Sequence, residues 1–280
     1  MPFDPDEYRA QSLASWNETA SGWEAGREWL RENTAPVSAR LLELAEPRPG
    51  QSVLELAAGT GELGFELGER VRPGGSVLSS DFAPEMVEAA RRSSRGPGNV
   101  EHRVLDAERT GLPDASFDLV VCRFGFMLMA EPAAALREAR RVLRDGGALV
   151  FAVWAGADRN PWAAVPRSVL VGRGHVPPPE PGTPGIFSLA DPQRVRELVT
   201  GAGFGDPEIE DVPFTWHYES ADGLWDTLRR FSGALASALD GLDAAERQAT
   251  RAAIEDSLAP WVRADGSYDV PALARVVRAR

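Results

Sequence analysis

The stretch Val53-Leu54-Glu55-Leu56-Ala57-Ala58-Gly59-Thr60-Gly61-Glu62-Leu63-Gly64 constrains the fold more than any other part of this chain. An apolar β-type run ends in a turn of small residues, and a helical pattern begins at once. Ala57, Ala58, Gly59 and Gly61 lack bulk, so a ligand can approach the main chain closely, and Gly59 and Gly61 can take positive φ. A helix that starts near Gly61 turns free N–H groups and a positive dipole end toward that ligand. Such a turn belongs at the carboxyl end of the first strand of a nucleotide-cofactor fold.

The flanking pattern extends this unit in both directions. Strands are predicted over 52–56, 76–80, 100–105, 117–122 and 148–154, with helices over 62–70, 84–93 and 132–143 between them. The 117–122 run is apolar on both faces, as a buried parallel strand is. This βαβ alternation predicts an α/β, doubly wound parallel sheet. Two helices precede it, over 6–32 and 35–45, the first carrying Trp16, Trp23 and Trp29 at roughly two-turn spacing. The alternation breaks after Trp154. The segment 155–188 holds Pro161, Pro166, Pro177, Pro178, Pro179, Pro181 and Pro184, which predicts a short helix and then an extended loop. A helix over 191–201, a strand over 207–216, helices over 220–239 and 243–261 and a strand over 273–279 complete the reading. One domain of 280 residues is expected: an N-terminal helical cover (1–46), a cofactor-binding core (47–154), a Pro-rich loop (155–190) and a segment (191–280) that finishes the sheet and carries a helical lid at about 220–262.

Charge and composition remove several classes of function. The formal net charge is −12, with no basic run, which argues against nucleic acid or an anionic membrane as a partner. The chain contains no lysine, so Schiff-base chemistry and a Walker-type phosphate lysine are excluded. A single cysteine, Cys122, excludes an internal disulfide and a cysteine-based metal cluster, and no metal is expected. The acidic N-terminus does not read as a signal peptide, and no apolar run approaches the ~20 residues that cross a bilayer; a cytoplasmic location is expected.

Gly59-x-Gly61-x-x-Gly64 matches the dinucleotide fingerprint, a weak signal alone. Glu55, just before the turn, would repel a pyrophosphate. It suits a cationic ligand, or it orders the main chain around it. Asp81 lies 81 − 59 = 22 positions beyond the first glycine. An acid there accepts both hydroxyls of an adenosine ribose, or it caps the helix that follows at Pro84. Asp106, after the third strand, can accept from the adenine amine, or it is a plain turn residue.

With these residues the chain resembles the class I S-adenosylmethionine-dependent methyltransferases, in particular the branch that includes the ubiquinone/menaquinone-biosynthesis C-methyltransferases. The likeness rests on the Val53–Gly61 stretch, Asp81-Phe82-Ala83-Pro84-Glu85-Met86, Asp106-Ala107-Glu108, the run from Phe117 to Gly125, and Leu143-Arg144-Asp145-Gly146-Gly147. It covers roughly 41–154 well and is generic afterwards. It implies a seven-stranded sheet whose last strand is antiparallel. It implies S-adenosylmethionine as cofactor and S-adenosylhomocysteine as product. The main chain around Ala57, Gly59, Thr60 and Gly61, with Glu55 behind it, would hold the methionine part. Asp81 would take the ribose, Phe82 and Met86 would flank the adenine, and Asp106 and Ala107 would read its edge. Arg123 would line the mouth.

Methyl transfer is an in-line displacement, accelerated mostly by holding the reacting atoms ~3–3.5 Å apart and aligned. No protein nucleophile is required, and a base only when the acceptor is weakly acidic. His217, His175 and His102 are the histidines available, and no catalytic residue is assigned among them; His217 and Arg123 are the candidates. Arg123 pairs with a substrate oxyanion or the cofactor carboxylate, or it is a structural ion-pair residue. Trp16, Phe124, Trp154 and Trp162 are candidate acceptor-pocket residues, since ligands of open α/β sheets sit beyond the strand carboxyl ends. The leading expectation is methyl transfer to O, N or C of a small aromatic or apolar metabolite, with a homodimer left open. The alternatives are an NAD(P)-dependent oxidoreductase and a methyltransferase-like binding protein without turnover.

Overall fold

The apolar runs of the sequence become one mixed sheet with helices on both faces. The computed structural model describes residues 3–93, 98–180 and 182–280; Pro181 of the Pro-rich segment lies outside them. The amino-terminal part comprises α1 (Pro5–Asn33), α2 (Ala35–Ala45), β1 (Ser52–Leu56), α3 (Glu62–Arg70), β2 (Ser76–Asp81), α4 (Pro84–Ser93) and β3 (Val100–Val104). It is followed by β4 (Phe117–Arg123), α5 (Pro132–Val142), β5 (Leu143–Trp154), α6 (Pro161–Gly172) and α7 (Pro192–Gly201). The chain closes with β6 (Glu208–Tyr218), α8 (Ala221–Phe231), α9 (Gly233–Asp240), α10 (Ala244–Leu258) and β7 (Tyr268–Ala279).

Among the described residues the sheet has seven strands in the order β3-β2-β1-β4-β5-β7-β6. Neighbours from β3 to β5 pair in parallel, and β7 runs antiparallel to both β5 and β6. The last strand is therefore the reversed one. Val53, Leu54, Val120, Val121, Leu149 and Val150 are buried, which is why these strands read as unbroken apolar runs rather than alternating ones. Leu56 stands opposite Cys122 and Cys122 opposite Phe151, so the carboxyl ends of β1, β4 and β5 finish level with one another.

Three elements depart from the sequence reading. β5 begins at Leu143 rather than 148: Leu143 already pairs with Phe117, and Asp145-Gly146-Gly147, with Gly146 at φ 78°, absorbs a register shift instead of ending the pairing. β7 begins at Tyr268 rather than 273, because Pro271 sits opposite Thr215 without breaking the ladder. The helix expected over 220–239 is two, α8 and α9. Ser232 breaks it with extended backbone and caps α9 by accepting from Leu235 N, and Gly233 lies so near Thr19 of α1 that a Cβ would come within 2.9 Å of the threonine methyl. Any side chain at that bend would lift α9 off α1.

α1 lies across α4, and side chains tie it down along its length. Asp4 caps its start, accepting from the N–H groups of Asp6 and Glu7. Tyr8 Oη donates to Leu128 O (2.9 Å), Arg9 Nε donates to Glu108 (2.7 Å), Glu85 N donates to Asn17 Oδ1 (3.1 Å), and Arg92 holds Glu24 through two nitrogens. At the far end the edge strand β6 is covered by α1 side chains: His217 N donates to Asn33 Oδ1 (2.8 Å) and Trp29 Nε1 donates to His217 O (3.1 Å). No helix among the described residues is long and apolar enough to cross a membrane.

Candidate cofactor and acceptor site

The bend after β1 is held in a conformation that ordinary residues avoid. Ala57 takes φ 52°, Gly59 φ 56° and Gly61 φ 85°, the last as the left-handed N-cap of α3. Ala58 N donates to Ser80 O and Gly61 N to Ala58 O, so β2 and the turn itself fix the path. The three glycines of the fingerprint do different work. A Cβ on Gly59 would meet nothing within 4 Å, so this residue borders open space. A Cβ on Gly61 would press on Ala90 of α4 and on His102. A Cβ on Gly64 would lie 2.5 Å from Glu55 Oε2, so the third glycine makes room for a carboxylate of its own chain.

Asp81 bridges the tip of β2 to that bend. Its Oδ2 accepts from Gly59 N (2.9 Å) and its Oδ1 from Ala83 N (3.0 Å). Burial raises its pKa, and the main-chain donors at Ala83 and Gly59 work against that rise. Each carboxylate oxygen has a second lone pair, so the group can also accept from two vicinal hydroxyls. Glu55 is buried within β1, accepts from Ser79 Oγ (2.7 Å) and faces Gly64 under α3. Burial pushes its pKa up to about 7, against the opposing Ser79 hydrogen bond and the Arg123 charge. Its near partners are thus chain groups, and it acts on the bend through field and order.

The remaining expected cofactor residues lie along the same edge. Met86 and Ala83 are buried with Ala20 of α1, and Phe82, Trp16 and Trp23 pack against them. Asp106 is exposed and accepts from Glu108 N, ordering the turn that buries Ala107. Thr60 Oγ1 donates to Glu62, the first residue of α3. Arg123, at the end of β4, donates to Ser38 Oγ (2.7 Å) and stands 3.7 Å from Glu62, which Arg27 of α1 approaches to 3.3 Å. Arg27, Glu62 and Gly125 escaped the sequence reading. Glu62 follows the glycine turn directly and was accessible to it, whereas Arg27 reaches the site only through the packing of α1. Gly125 is as tight as any residue here: a Cβ would lie 2.5 Å from Ala57 Cβ and 2.7 Å from Cys122 Sγ.

Phe124, Trp154 and Trp162 come together, and Trp16 does not join them. Phe124 stacks on Trp154 with centroids 4.1 Å apart and planes within 4°, and Trp162 meets Trp154 at 4.9 Å. Trp16 is instead 5.5 Å from Trp23 in the cluster beside Met86. The histidines are engaged elsewhere. His217 Nδ1 lies 2.8 Å from Asp269, His175 Nε2 lies 2.8 Å from Glu246 in a link between α6 and α10, and His102 packs against Phe65 behind Gly61, where burial lowers its pKa. Burial pushes the Cys122 thiol up to about 12, which leaves it without nucleophilic character.

A family model described as a methyltransferase domain matches residues 54–151, the span from the first strand through most of the fifth. The demethylmenaquinone methyltransferase of Deinococcus radiodurans is 33% identical over 188 residues, covering 64% of this chain and 74% of that protein. Aklanonic acid methyltransferase DauC of Streptomyces sp. (strain C5) is 32% identical over 147 residues, 51% of this chain and 65% of that one. The chain spans between 41% and 65% of the length of the first curated relatives it matches. The solved structure of Haemonchus contortus phosphoethanolamine N-methyltransferase 2, in complex with phosphomonomethylethanolamine and S-adenosylhomocysteine, superposes with a TM-score of 0.53 at 16% identity, over 86% of this chain and 51% of that one. That likeness concerns the fold. With the order of its motifs, its sheet and these relatives, the chain belongs to the class I S-adenosylmethionine-dependent methyltransferases.

Proposed function

We propose that this chain transfers a methyl group from S-adenosylmethionine to O, N or C of a small aromatic or apolar acceptor. One observation carries the reading: Gly59 borders open space while its N–H is held by Asp81, whose oxygens keep lone pairs for two hydroxyls. The cofactor supplies, when bound, a methyl carbon made electrophilic by a sulfonium, and leaves as S-adenosylhomocysteine. Everything else is holding and enclosing. Asp81 accepts from the ribose, and the main chain at Ala57, Gly59, Thr60 and Gly61 receives the methionine part. Phe82 and Met86 flank the adenine, and Asp106 and Ala107 read its edge. Arg123 lines the mouth, its guanidinium anchored to Ser38 and facing Glu62. A cation beside the buried Glu55 would favour its ionised form, whereas a pyrophosphate would oppose it, which speaks against the oxidoreductase alternative; so does Gly64, which accommodates Glu55.

Residues 47–154 form the cofactor side in this proposal, and 1–46 with 220–262 form a cover that keeps water out. Phe124, Trp154 and Trp162 make the acceptor wall, where ring faces also favour a cation by about 0.5–2 kcal/mol. His217 takes no base role here, because it is half-exposed and follows Trp216 on β6, so its side chain points to the opposite face of the sheet from the aromatic wall. A sufficiently acidic acceptor reaches the site already deprotonated and needs no base.

Calorimetry with S-adenosylmethionine, S-adenosylhomocysteine and NADH tests the reading. Saturable binding of the two adenosyl ligands is expected, and binding of NADH alone would overturn it. Turnover against phenols, quinols and amines, followed as S-adenosylhomocysteine release, separates an enzyme from a binding protein.

A further inference from the structure

We propose that Trp216 is a specificity residue of the acceptor site, its indole N–H recognising an oxygen on a planar aromatic ligand; the inference rests on the methyltransferase reading above. It begins with the indole N–H groups of the aromatic wall. Trp29 Nε1 donates to His217 O and Trp162 Nε1 donates to Asn160 Oδ1, each at 3.1 Å. Trp216 is 4% exposed, and its Nε1 is enclosed with no acceptor among the described residues. A buried donor left unpaired is costly, and in a ligand site it is explained by an acceptor that arrives with the ligand.

The position is right for such a role. Trp216 and Trp154 point to the same face of the sheet. Trp154 pairs with Ala274 and Ala274 with Val212, and Trp216 lies four residues beyond Val212 on β6. The ring of Trp216 is 6.2 Å from Trp154 and 5.3 Å from Trp162. Trp154 in turn stacks on Phe124, which takes φ 63°, a conformation that a bulky aromatic residue adopts only when its surroundings force it. The next residue, Gly125, packs so closely on Ala57 that a Cβ there would lie 2.5 Å from the alanine Cβ. A series of rings therefore runs from Phe124, beside the Gly125–Ala57 approach, to the unpaired donor.

The chemistry of the ligand follows. The surrounding rings favour a flat apolar body. A single N–H donor offers nothing to a group that only donates, so it selects a carbonyl or phenolic oxygen over a protonated amine. Trp29 of α1 stacks on Trp216 at 5.0 Å and covers it.

The test uses 2-acetylnaphthalene and 2-ethylnaphthalene, which differ in one carbonyl, as probes of the full chain saturated with S-adenosylhomocysteine. Affinities are read by ligand-observed NMR. Wild type is expected to bind the ketone about tenfold tighter, the worth of one buried hydrogen bond. Trp216→Phe keeps a ring and should remove that preference while leaving S-adenosylhomocysteine affinity unchanged. Phe124→Leu should weaken both probes alike, by about fivefold. Equal losses for both probes in Trp216→Phe would reduce Trp216 to packing. Unchanged affinities would mean that a neighbouring ring face already satisfies the N–H. Either result, or failure of both probes to bind wild type, overturns the proposal. The comparison is repeated without S-adenosylhomocysteine: if that ligand fails to bind, the methyltransferase reading falls, and the probe pair still decides the role of Trp216.

Discussion

In the function proposed here, the ligand-facing surface beside β1 and β2 is main chain; beside β5 and β6 it is indole. At the first the shape is set by positive φ at Ala57, Gly59 and Gly61 and by one carboxylate that fastens Gly59. At the second it is set by ring stacking between Phe124, Trp154, Trp162 and Trp216. A main-chain surface recognises groups that every ligand of a family shares, and it cannot change without changing the fold. A side-chain surface can be altered one residue at a time. Under the proposed function, cofactor choice belongs to the first region and acceptor choice to the second.

The largest expected effect tests the main-chain side. Asp81→Ala removes the anchor of Gly59 N and the acceptor for a ribose at once, and S-adenosylhomocysteine affinity should fall on the order of a hundredfold in calorimetry. A loss below threefold would mean that Asp81 serves the turn alone. Gly125→Ala puts a methyl 2.5 Å from Ala57 Cβ, where both neighbours are held by strands. Overpacking of that kind should cost about 2 kcal/mol in chemical denaturation and distort the bend enough to weaken cofactor binding too.

Glu55 sharpens the comparison through pH. Its native pKa, pushed up to about 7, exceeds the ordinary 4.5, so the folded chain binds this proton more tightly than the unfolded one. Stability should therefore fall as pH rises from about 4.5 to 7 and be lowest above that window. Glu55→Gln removes the penalty: it should melt like wild type near pH 4.5 and be more stable at pH 8, on the order of 2 kcal/mol. A variant equally destabilised at both pH values would show that the charge matters less than the Ser79 contact. The smallest effect belongs to the cover. Arg9→Ala breaks partly exposed ion pairs to Glu108 and Glu131 worth about 0.5–1 kcal/mol. Hydrogen exchange in the first turns of α1 should quicken a few-fold, with exchange in β1 unchanged.

The same contrast explains what the sequence disclosed. The cradle was legible because its requirements are local: a strand, a turn without bulk, a helix start, and acids at the next two strand ends, all recorded in residue types at short spacing. The sheet order beyond β5 was legible only through family likeness. The start of β7 was hidden by Pro271, which reads as a breaker although it sits in an unbroken antiparallel ladder. The split at Ser232 was hidden because part of what holds the bend, the close approach of Gly233 to Thr19, comes from more than two hundred positions away. Arg27 and the pairing of Trp29 with Trp216 are likewise products of how α1 lies on the body. Trp16 reads as an acceptor-pocket residue because it lies in a segment that can cover the strand ends, and α1 carries it instead to the cluster beside Met86.

Cys122 sits between β1 and β5 at the innermost row of the sheet, with its thiol proton held tightly. A thiol-directed reagent reaches it only after the central strands separate, since surface motions of α1 or α9 leave that row closed. The chain thus carries an internal clock for breathing of its middle. Labelling at this sulfur times rupture of the cradle, and cofactor that grips the neighbouring loop should slow that clock in proportion to how firmly it binds.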